Sequence, residues 1–533
     1  MLRSDLSASR SYSRAGRSGD HSGLQGLRQC RPRLREGSLD QERCASNRLS
    51  TTEHWHLSLA VVMVFAACGG RGGLHSARTD GAQGGGAEAD GSTDGAGEAV
   101  VTARYILTVS FAGNGDGTVG IQPGNTTCTA PTTCTATFDS GTHVTLTAKP
   151  TNTGATVASV LSGWNGACAA NGPNRLCSLT IGYATSTTAR FDSLPANLAF
   201  VTSSTLLGNL GSAYAYQSQC NQLATAAGIN NATNDAYVAW MAATNYAPAT
   251  LLGSTRGWVR ADLLPWIDDM ATALYTGAVY YPVAYDENGQ RVIADTLSGM
   301  GGTSALYVGE NCNDWTDATL DASHGNTHAG GKGWTNNNVG VSSCAIASRV
   351  LCVMKGANTP VTVAPVAGKK IYLSKSAWIP GGGLSAADAK CLADAPASVT
   401  AVKAVLVAST RALTDVLDVA AVYVRPDGVK VGTGAEIVQA MVDGIPPVTI
   451  EGAVTQDGGG NYVDTSVAQL LWTGLPYFGS VGTAATCQDW TSALSTDTGT
   501  GGCVAVGWSD AGKCGSFACD NAWPDIFLQC AEQ

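Results

Sequence analysis

The sequence predicts a multidomain protein in which a small all-β module precedes two α+β domains of one design. A cysteine and tryptophan framework occurs twice, once from Cys220 to Cys352 and again from Cys391 to Cys530. Residues 103–195 alternate apolar and polar side chains between Gly, Asn, Asp and Pro residues, which is typical of strands and hairpins. Only 14% of the 533 residues are charged and 65 are Gly, a composition that favours strands, turns and long loops.

The chain is acidic, with a formal net charge of −10. Binding to the phosphates of a nucleic acid requires clustered cations. We therefore expect no nucleic-acid partner. Broad electrostatic binding to other anionic polymers is disfavoured for the same reason.

Fourteen cysteines follow Cys68, and they fall into groups of four, four and six along the chain. An even number within each predicted domain indicates disulfides formed in an oxidising compartment. The alternative is buried free thiols or a zinc site, although no Cys-x-x-Cys pair supports zinc. The groups are Cys128, Cys134, Cys168 and Cys177; then Cys220, Cys312, Cys344 and Cys352; then Cys391, Cys487, Cys503, Cys514, Cys519 and Cys530.

An apolar run of eleven residues, Leu57–Ala67, has the length of a signal-peptide core and is too short to span a bilayer. It runs into Phe65–Cys68, which resembles a bacterial lipobox and implies lipid attachment at Cys68. Gly69 follows instead of Asp, which implies the outer membrane or cell surface, with the lipid anchor as the only membrane contact. The alternative is an ordinary cleavage site followed by an incidental cysteine.

Residues 1–68 are interpreted as a leader and lipoprotein signal peptide, and residues 69–100 as a linker. The first 50 residues are rich in Arg and Ser without apolar periodicity, so we expect translation to start downstream of Met1; an extended disordered leader is the alternative. The linker is dominated by Gly, Ala, Asp and Ser, which predicts a flexible tether with an end-to-end distance of roughly 30 Å. Such a tether lifts the folded part away from the membrane.

The all-β segment, 103–195, carries four motifs in order. They are Leu-Thr-Val at 107–109, Gly-x-Gly-Thr-Val at 115–119, Val-Thr-Leu-Thr-Ala at 144–148 and Gly-Trp-x-Gly-x-Cys at 163–168. This order resembles the divergent InlB-type B-repeat of bacterial surface proteins. The resemblance implies a compact β-grasp-like spacer or adhesion module without catalytic residues. Two disulfides, Cys128–Cys134 and Cys168–Cys177, are expected, each closing a short local loop.

Residues 198–355 and 369–533 share landmarks beyond their cysteines, and these predict one fold for both. The stretch before each first cysteine, Gly211–Cys220 or Gly383–Cys391, has the small residues and 3.6-residue period of a helix packed against a sheet. Three further pairs match in order: Ala236–Thr244 with Val402–Thr410, Trp258–Asp262 with Tyr423–Asp427, and Leu306–Gly309 with Leu471–Gly474.

These features, together with Cys-x-Asp-Trp at 312–315 and 487–490, resemble the endostatin-like branch of the C-type-lectin-like fold. That family pairs the first cysteine with the last and nests the middle two. The residues alone allow fifteen connectivities for the six cysteines of the second domain; the resemblance leaves Cys503 and Cys514 as a local pair. The framework it implies is Cys220–Cys352, Cys312–Cys344, Cys391–Cys530 and Cys487–Cys519.

Candidate metal ligands are few. His324 and His328 stand four apart and could ligate a metal on a helix, but the Gly residues around them predict a solvent-exposed loop. Asp286–Gly289 has the composition of a calcium loop without the ligand spacing or closing Glu of an EF-hand, so a turn is predicted there. The sugar-binding calcium motifs of true C-type lectins do not occur in either domain. No metal site and no cofactor are therefore predicted.

The tryptophans divide into scaffold residues and candidates for ligand contact. Trp315 and Trp490 occupy the Cys-x-x-Trp position and are predicted to be core residues, while Asp314 and Asp489 beside them accept backbone hydrogen bonds. We expect ligand contact to come from loops held on this rigid scaffold. The tryptophans predicted to be exposed for such contact are Trp334, Trp508 and Trp523.

No catalytic residues are predicted, since neither His-Glu-x-x-His nor Gly-x-Ser-x-Gly occurs and the second large domain contains no His. The predicted function is that of a lipid-anchored, adhesin-like surface protein that binds an extracellular protein or glycan, such as a matrix component. A structural envelope protein that contacts other surface components is the alternative. A secreted enzyme is the third interpretation.

Overall fold

The computed structural model describes residues 102–301, 310–336, 341–443, 450–463, 470–475, 485–503, 515–520 and 526–533. The chain divides into two compact units, Met1–Gly95 and Ala96–Gln533, and every described residue belongs to the second unit. The predictions for the leader, for the signal peptide with Cys68 and for the linker lie outside the described residues. So do those for Cys514, Trp508 and Trp523.

Residues 104–193 form eight strands, because apolar side chains recur at every second position and give each strand a face to bury. In Thr142–Pro150, for example, Val144, Leu146 and Ala148 are buried and the residues between them are half-buried. The strands are β1 Arg104–Ala112, β2 Gly117–Gln122, β3 Thr126–Thr129, β4 Cys134–Asp139, β5 Thr142–Pro150, β6 Ser159–Gly166, β7 Leu176–Ile181 and β8 Thr185–Ser193.

These eight strands make two sheets around one core. The strand orders are β4-β1-β8-β6 and β3-β2-β5-β7, and β1 runs parallel to β8. Val109 and Phe191 from the first sheet share a core with Ile121 and Leu146 from the second. The all-β prediction is confirmed. A β-grasp packs its sheet on a helix, whereas the helical element described in this segment is a single 3-10 turn, Ala169–Asn171.

The next segment combines helices with two sheets around a tryptophan-rich core. Its longest helix ends at Gly228, whose φ of 78° is left-handed and is adopted by glycine without strain. The elements are β9 Asn197–Val201, α1 Ala213–Ala227, β10 Tyr237–Ala239, α2 Pro248–Leu252, β11 Trp258–Val259, β12 Pro265–Ile267, α3 Met270–Thr276, β13 Asp295–Leu297, α4 Cys312–Trp315, β14 Asp321–Asn326, β15 Val341–Ser343 and β16 Leu351–Met354.

The last segment has the same kinds of element in the same order at its start and end. We call the segment that begins with β9 domain 1 and the segment that begins with β17 domain 2. The elements of domain 2 are β17 Lys369–Leu373, α5 Gly383–Asp394, β18 Val402–Ala404, β19 Val422–Val424, β20 Lys430–Thr433, α6 Gly434–Asp443, β21 Leu470–Trp472, α7 Cys487–Trp490, β22 Thr498–Cys503, β23 Gly515–Ala518, β24 Ile526–Phe527 and β25 Gln529–Glu532.

The five-stranded sheets of the two domains correspond strand for strand. Their orders are β10-β16-β9-β11-β12 and β18-β25-β17-β19-β20. In both sheets the first strand of the domain runs antiparallel to the closing strand and parallel to β11 or β19. The α+β character predicted for both domains is therefore present, and the helix predicted before each first cysteine is confirmed as α1 and α5.

Six disulfides join the cysteines of the described residues, and all six predicted pairs among them are confirmed. Cys220 and Cys391 tie their helices to the closing strands β16 and β25. Cys503 ends β22, but its predicted partner Cys514 lies outside the described residues. Such disulfides are typical of proteins exposed to an oxidising, non-cytoplasmic environment.

Two of the predicted matches between the domains need correction. Ala242 and Val407 each donate a backbone hydrogen bond to the residue before a glycine, and these glycines are Gly299 and Gly474. The counterpart of Leu471–Gly474 is therefore 296–299, and not the predicted segment 306–309, which lies outside the described residues. The same bonds show that Ala236–Thr244 aligns with 401–409, one residue earlier than predicted.

Candidate functional site

The Cys-x-Asp-Trp elements α4 and α7 are single left-handed turns. All four residues of α4 have φ between 52° and 68°, and those of α7 have φ between 49° and 68°. This conformation costs L-residues roughly 1–2 kcal/mol each. Two turns with the same unfavourable backbone need strong local support, which their side chains supply.

Matching hydrogen bonds hold the two turns in the same way. Trp315 and Trp490 are fully buried, and each Nε1 donates to a backbone carbonyl at 2.9 Å. Asp314 accepts from the Thr244 N–H at 2.9 Å, and the corresponding carboxylate accepts from the Ser409 N–H at 2.8 Å. Hydrogen bonding from Thr244 also holds the pKa of Asp314 below its ordinary value. The predicted scaffold role of these residues is confirmed.

The Arg-x-Asp sequences that follow β11 and β19 place two arginines in the interior. The Arg260 side chain is 1% exposed; it pairs with Asp262 at 2.5 Å and donates to the Pro282 carbonyl at 3.1 Å. Arg425 is equally buried and pairs with Asp427 at 2.6 Å. The match of Trp258–Asp262 with Tyr423–Asp427 predicts that the two segments are equivalent, but it does not predict that their arginines are buried.

Corresponding faces of the two domains meet. Val279 and Ile450 occupy matching positions, because the residues after them donate backbone hydrogen bonds of 2.9 Å to β12 and β20, respectively. Arg425 Nη1 donates to the Val279 carbonyl at 2.9 Å, and Arg291 Nη2 donates to the Ile450 carbonyl. Each domain thus contributes an arginine to the same backbone position of the other, although the two arginines are not counterparts: Arg425 matches Arg260, and Arg291 matches Tyr462.

Asp286–Gly289 forms the predicted turn, and it also contacts the β module. Asp286 Oδ1 accepts from the N–H groups of Asn288 and Gln290 at 2.9 and 2.8 Å. Arg175, just before β7, donates its backbone N–H to the Asn288 carbonyl at 2.8 Å and Nη1 to the Asn288 side chain at 3.1 Å. The turn therefore helps to attach the β module to domain 1.

A shallow, open groove lined mainly by residues with polar side chains runs along the outer side of α1. Its larger part has a volume of about 620 Å³, and a smaller part of about 300 Å³ lies where domain 1 meets the β module. Thr225 and Asn234 line both parts. The lining side chains of the larger part are Gln217, Ser218, Asn221, Gln222, Thr225, Ala226, Asn234 and Asp235.

Two buried asparagines fix the groove floor. Asn221 donates to the Tyr237 carbonyl at 2.9 Å and accepts from the Tyr237 N–H at 3.1 Å, which ties α1 to β10. Asn230 donates to the Asn221 carbonyl at 2.9 Å and accepts from the N–H groups of Asn231 and Ala236. The loop after α1 is thereby held against the helix, so the protein's own contacts shape the groove.

Domain 2 lacks this groove chemistry. Aligned on the helix cysteines, Gln217 corresponds to Asp388, which forms an ion pair with Arg411 at 2.6 Å. Asn221 corresponds to Leu392, which is 47% exposed. Gln222 corresponds to an alanine, at position 393. The two domains therefore share a framework but present different surfaces on this helix.

Trp334 is not exposed, so its predicted availability for ligand contact is wrong. Its side chain is 1% exposed and packs against Trp240 and Trp266, with ring centroids 5.0 and 5.1 Å apart. A Gly- and Asn-rich surrounding sequence suggested a surface loop, but the aromatic stack draws the residue into the core. The other two candidates, Trp508 and Trp523, lie outside the described residues.

The two candidate metal-binding histidines are also more buried than predicted. His324 lies in β14 with its side chain 11% exposed, and His328 is 5% exposed. Burial, with a smaller contribution from Arg291, lowers the pKa of His328 to about 4. Within the described ranges, no group of three or more His, Cys, Asp or Glu side chains could hold a metal ion.

The α1 groove was missed by sequence reasoning, although the sequence contains a signal for it. Helix α1 is fifteen residues long and has no charged side chain, and three asparagines follow it between 230 and 234.

In the part of the chain that is described, no helix is long and apolar enough to cross a membrane. No protein-family model matches the chain, and no curated protein is significantly similar to it.

Proposed function

We propose that this protein is an exported, adhesin-like binding protein of the cell surface, lipid-anchored at Cys68, that recognises an extracellular protein or glycan. The observation that carries the proposal is the α1 groove, a preformed polar surface on a helix that a disulfide ties to the central sheet. A groove of several hundred Å³ with convergent polar groups is typical of a ligand site.

The remaining parts of the chain have roles that fit this function. The segment resembling an InlB-type B-repeat acts as a spacer, and the two domains resembling the endostatin-like branch of the C-type-lectin-like fold form the binding body. Their mutual docking through arginines gives that body a fixed geometry. The linker before the β module separates it from the membrane.

Binding of the soluble chain from Gly69 to Gln533 to arrays of matrix proteins and glycans tests the function. We expect saturable binding to at least one array component, and none after the disulfides are reduced and the chain is unfolded. Absence of any saturable ligand would contradict the binding role. That result would favour the alternative, a structural envelope protein.

The anchor is tested separately by growing expressing cells with a radioactive fatty acid. The wild-type protein should be labelled and sediment with the outer membrane, because the lipobox-like sequence places a modifiable thiol at Cys68. Cys68→Ala should abolish the label, while Cys44→Ala, which changes a cysteine upstream of the apolar run, should not. Unchanged labelling of Cys68→Ala refutes the anchor.

A further inference from the structure

We infer that the α1 groove binds an uncharged oligosaccharide, an inference that rests on the proposed binding function and names its ligand class. Domain 1 is the binding domain, and domain 2 does not bind the same ligand. Four features of the groove carry the inference: its charge, its hydrogen-bonding groups, an exposed aromatic ring beside it, and its rigidity.

The groove-forming helix carries no charge. None of the fifteen residues of α1 is Asp, Glu, Lys or Arg, whereas about a quarter of the residues in an average soluble domain are charged. The corresponding helix of domain 2, α5, carries Asp388, Lys390 and Asp394. The larger part of the groove, to which the inference applies, has one charged lining residue, Asp235, whereas Lys149 lines the smaller part. One carboxylate opposes an anionic ligand such as a sulfated or sialylated glycan, and it accepts hydroxyl groups of a neutral one.

The hydrogen-bonding groups match those of sugar hydroxyls. A hydroxyl both donates and accepts, as amide and hydroxyl side chains together do. Gln217 Oε1 accepts from the Tyr246 hydroxyl at 2.8 Å, which leaves the amide nitrogen of Gln217 to donate. Gln222 and Ser218 are exposed on the same side of the helix.

An exposed aromatic ring lies at the N-terminal end of the line that Ser218 and Gln222 form along α1. Tyr214 is 52% exposed and lies one turn before Ser218 on the same face of α1. Its ring packs edge-on against Tyr246, with the centroids 4.9 Å apart and the planes at 86°. The contact holds the ring in place and leaves a large fraction of it open. An aromatic face of this kind offers an apolar surface to the C–H groups of a sugar ring, while the tyrosine hydroxyl remains in contact with water.

The groove is already ordered, so little conformational entropy is lost on binding. The Cys220–Cys352 disulfide and the buried Asn221 and Asn230 hydrogen bonds fix α1 and the loop that follows it. Preorganisation of this kind favours a weakly interacting neutral ligand, whose hydrogen bonds with the protein replace equally good ones with water.

The test compares variants of the soluble chain on a glycan array that contains neutral, sialylated and sulfated oligosaccharides. The wild type should bind neutral members, and Tyr214→Ala and Gln222→Ala should each weaken that binding by roughly tenfold. Tyr275→Ala is the matched control: this tyrosine is 82% exposed on domain 1 but lies on α3, and not on the groove helix α1, and its loss should change nothing. Both groove positions are exposed, so unchanged thermal unfolding verifies that the variants fold.

The outcomes separate this inference from the proposed function. Binding of neutral glycans that Tyr214→Ala and Gln222→Ala leave unchanged overturns the groove as the site and leaves the binding function standing. Binding confined to charged glycans or to proteins overturns the ligand class and again leaves the function standing. No saturable binding to any glycan or matrix protein overturns both.

Discussion

At the scale of single residues, the interior of each large domain contains a charged side chain. Arg260 and Arg425 are almost completely buried, and each is neutralised by the aspartate two residues later. Burying a guanidinium is costly unless its charge and its hydrogen bonds are satisfied. Arg425 meets this requirement partly with the Val279 carbonyl of domain 1, so its environment depends on the contact between the domains.

Replacing one of these buried arginines should lower the free energy of unfolding far more than replacing an exposed arginine does. Arg425→Met leaves Asp427 without its counter-charge, and we expect the free energy of unfolding to fall by about 3 kcal/mol. Arg256→Met removes a pair of the same 2.6 Å length whose arginine is 43% exposed, and should lower the free energy of unfolding far less, because solvent screens an exposed ion pair. Urea unfolding followed by tryptophan fluorescence measures both, and equal losses would contradict the distinction.

The buried His328 predicts a loss of stability in mild acid. Because burial lowers its folded-state pKa from 6.5 to about 4, the unfolded chain takes up this proton first as the pH falls. The free energy of unfolding should therefore decrease between about pH 6.5 and pH 4, by on the order of 3 kcal/mol. His328→Gln should flatten this part of the pH profile, whereas His143→Gln, at an exposed position of β5, should not. An unchanged slope in His328→Gln would show that other groups cause the loss.

At the scale of elements, the disulfides differ in how much chain they enclose. Cys220–Cys352 spans 132 residues and ties α1 to β16, whereas Cys128–Cys134 spans six. In the chain-entropy account, the restriction of the unfolded state grows with the length of the closed loop. Cys220–Cys352 therefore holds the helix that carries the groove, and the short disulfide adds local order.

Removing the two kinds of disulfide should reveal this difference. Replacing both Cys220 and Cys352 by Ala is expected to lower the free energy of unfolding by about 5 kcal/mol, and replacing both Cys128 and Cys134 by about 2 kcal/mol. Urea unfolding under non-reducing conditions measures the two losses in otherwise identical chains. A loss for the long loop no larger than that for the short one would be inconsistent with the entropic origin.

The left-handed turns α4 and α7 belong to the same scale. Four consecutive non-glycine residues with positive φ are unfavourable in isolation. The buried tryptophan, the aspartate that accepts a backbone N–H and the disulfide at the first position stabilise the turn together in each domain. No local pattern of residues predicts this backbone, since its support comes from residues up to 83 positions away in sequence.

At the scale of the whole folded unit, the two large domains meet through corresponding faces. Gly330 of domain 1 lies against domain 2 so closely that an added Cβ would stand 2.6 Å from Ala453 and 2.7 Å from Thr455. Together with the reciprocal arginine contacts, this close approach fixes the relative position of the domains. The domains are therefore expected to unfold cooperatively.

A side chain at Gly330 should uncouple them. Gly330→Val forces the facing surfaces apart, so urea unfolding should change from one transition to two. Gly182→Val introduces the same side chain where an added Cβ meets nothing within 4 Å, and the single transition should remain. One transition in both variants would mean that the domains are coupled without this contact.

Particular residues show where sequence reasoning succeeded and where it failed. The helix before each first cysteine, the strands of the β module, the turn at Asp286 and the scaffold tryptophans were predictable, since each depends on local periodicity or on cysteine spacing. Trp334 was assigned to the surface because its sequence neighbours are Gly and Asn. The mistaken match of 306–309 with Leu471–Gly474 had a similar cause, as Gly299 is identified as the counterpart of Gly474 by tertiary contacts, namely the Ala242 hydrogen bond to the preceding residue and the nearby Trp315 ring.

The sequence by itself determined the even grouping of the cysteines and the β character of the first module, because cysteine counts and apolar alternation are properties of the order of residues; the pairing within the large domains was implied by the resemblance to the endostatin-like branch. Only the tertiary structure decided which side chains are buried, how the two domains face each other and where a groove lies. Those features arise from contacts between residues far apart in the chain, such as Arg425 with Val279 and Asn221 with Tyr237. The uncharged helix α1 lies between these two cases. Its composition can be read from the sequence, but the groove that it lines depends on the loop that folds against it.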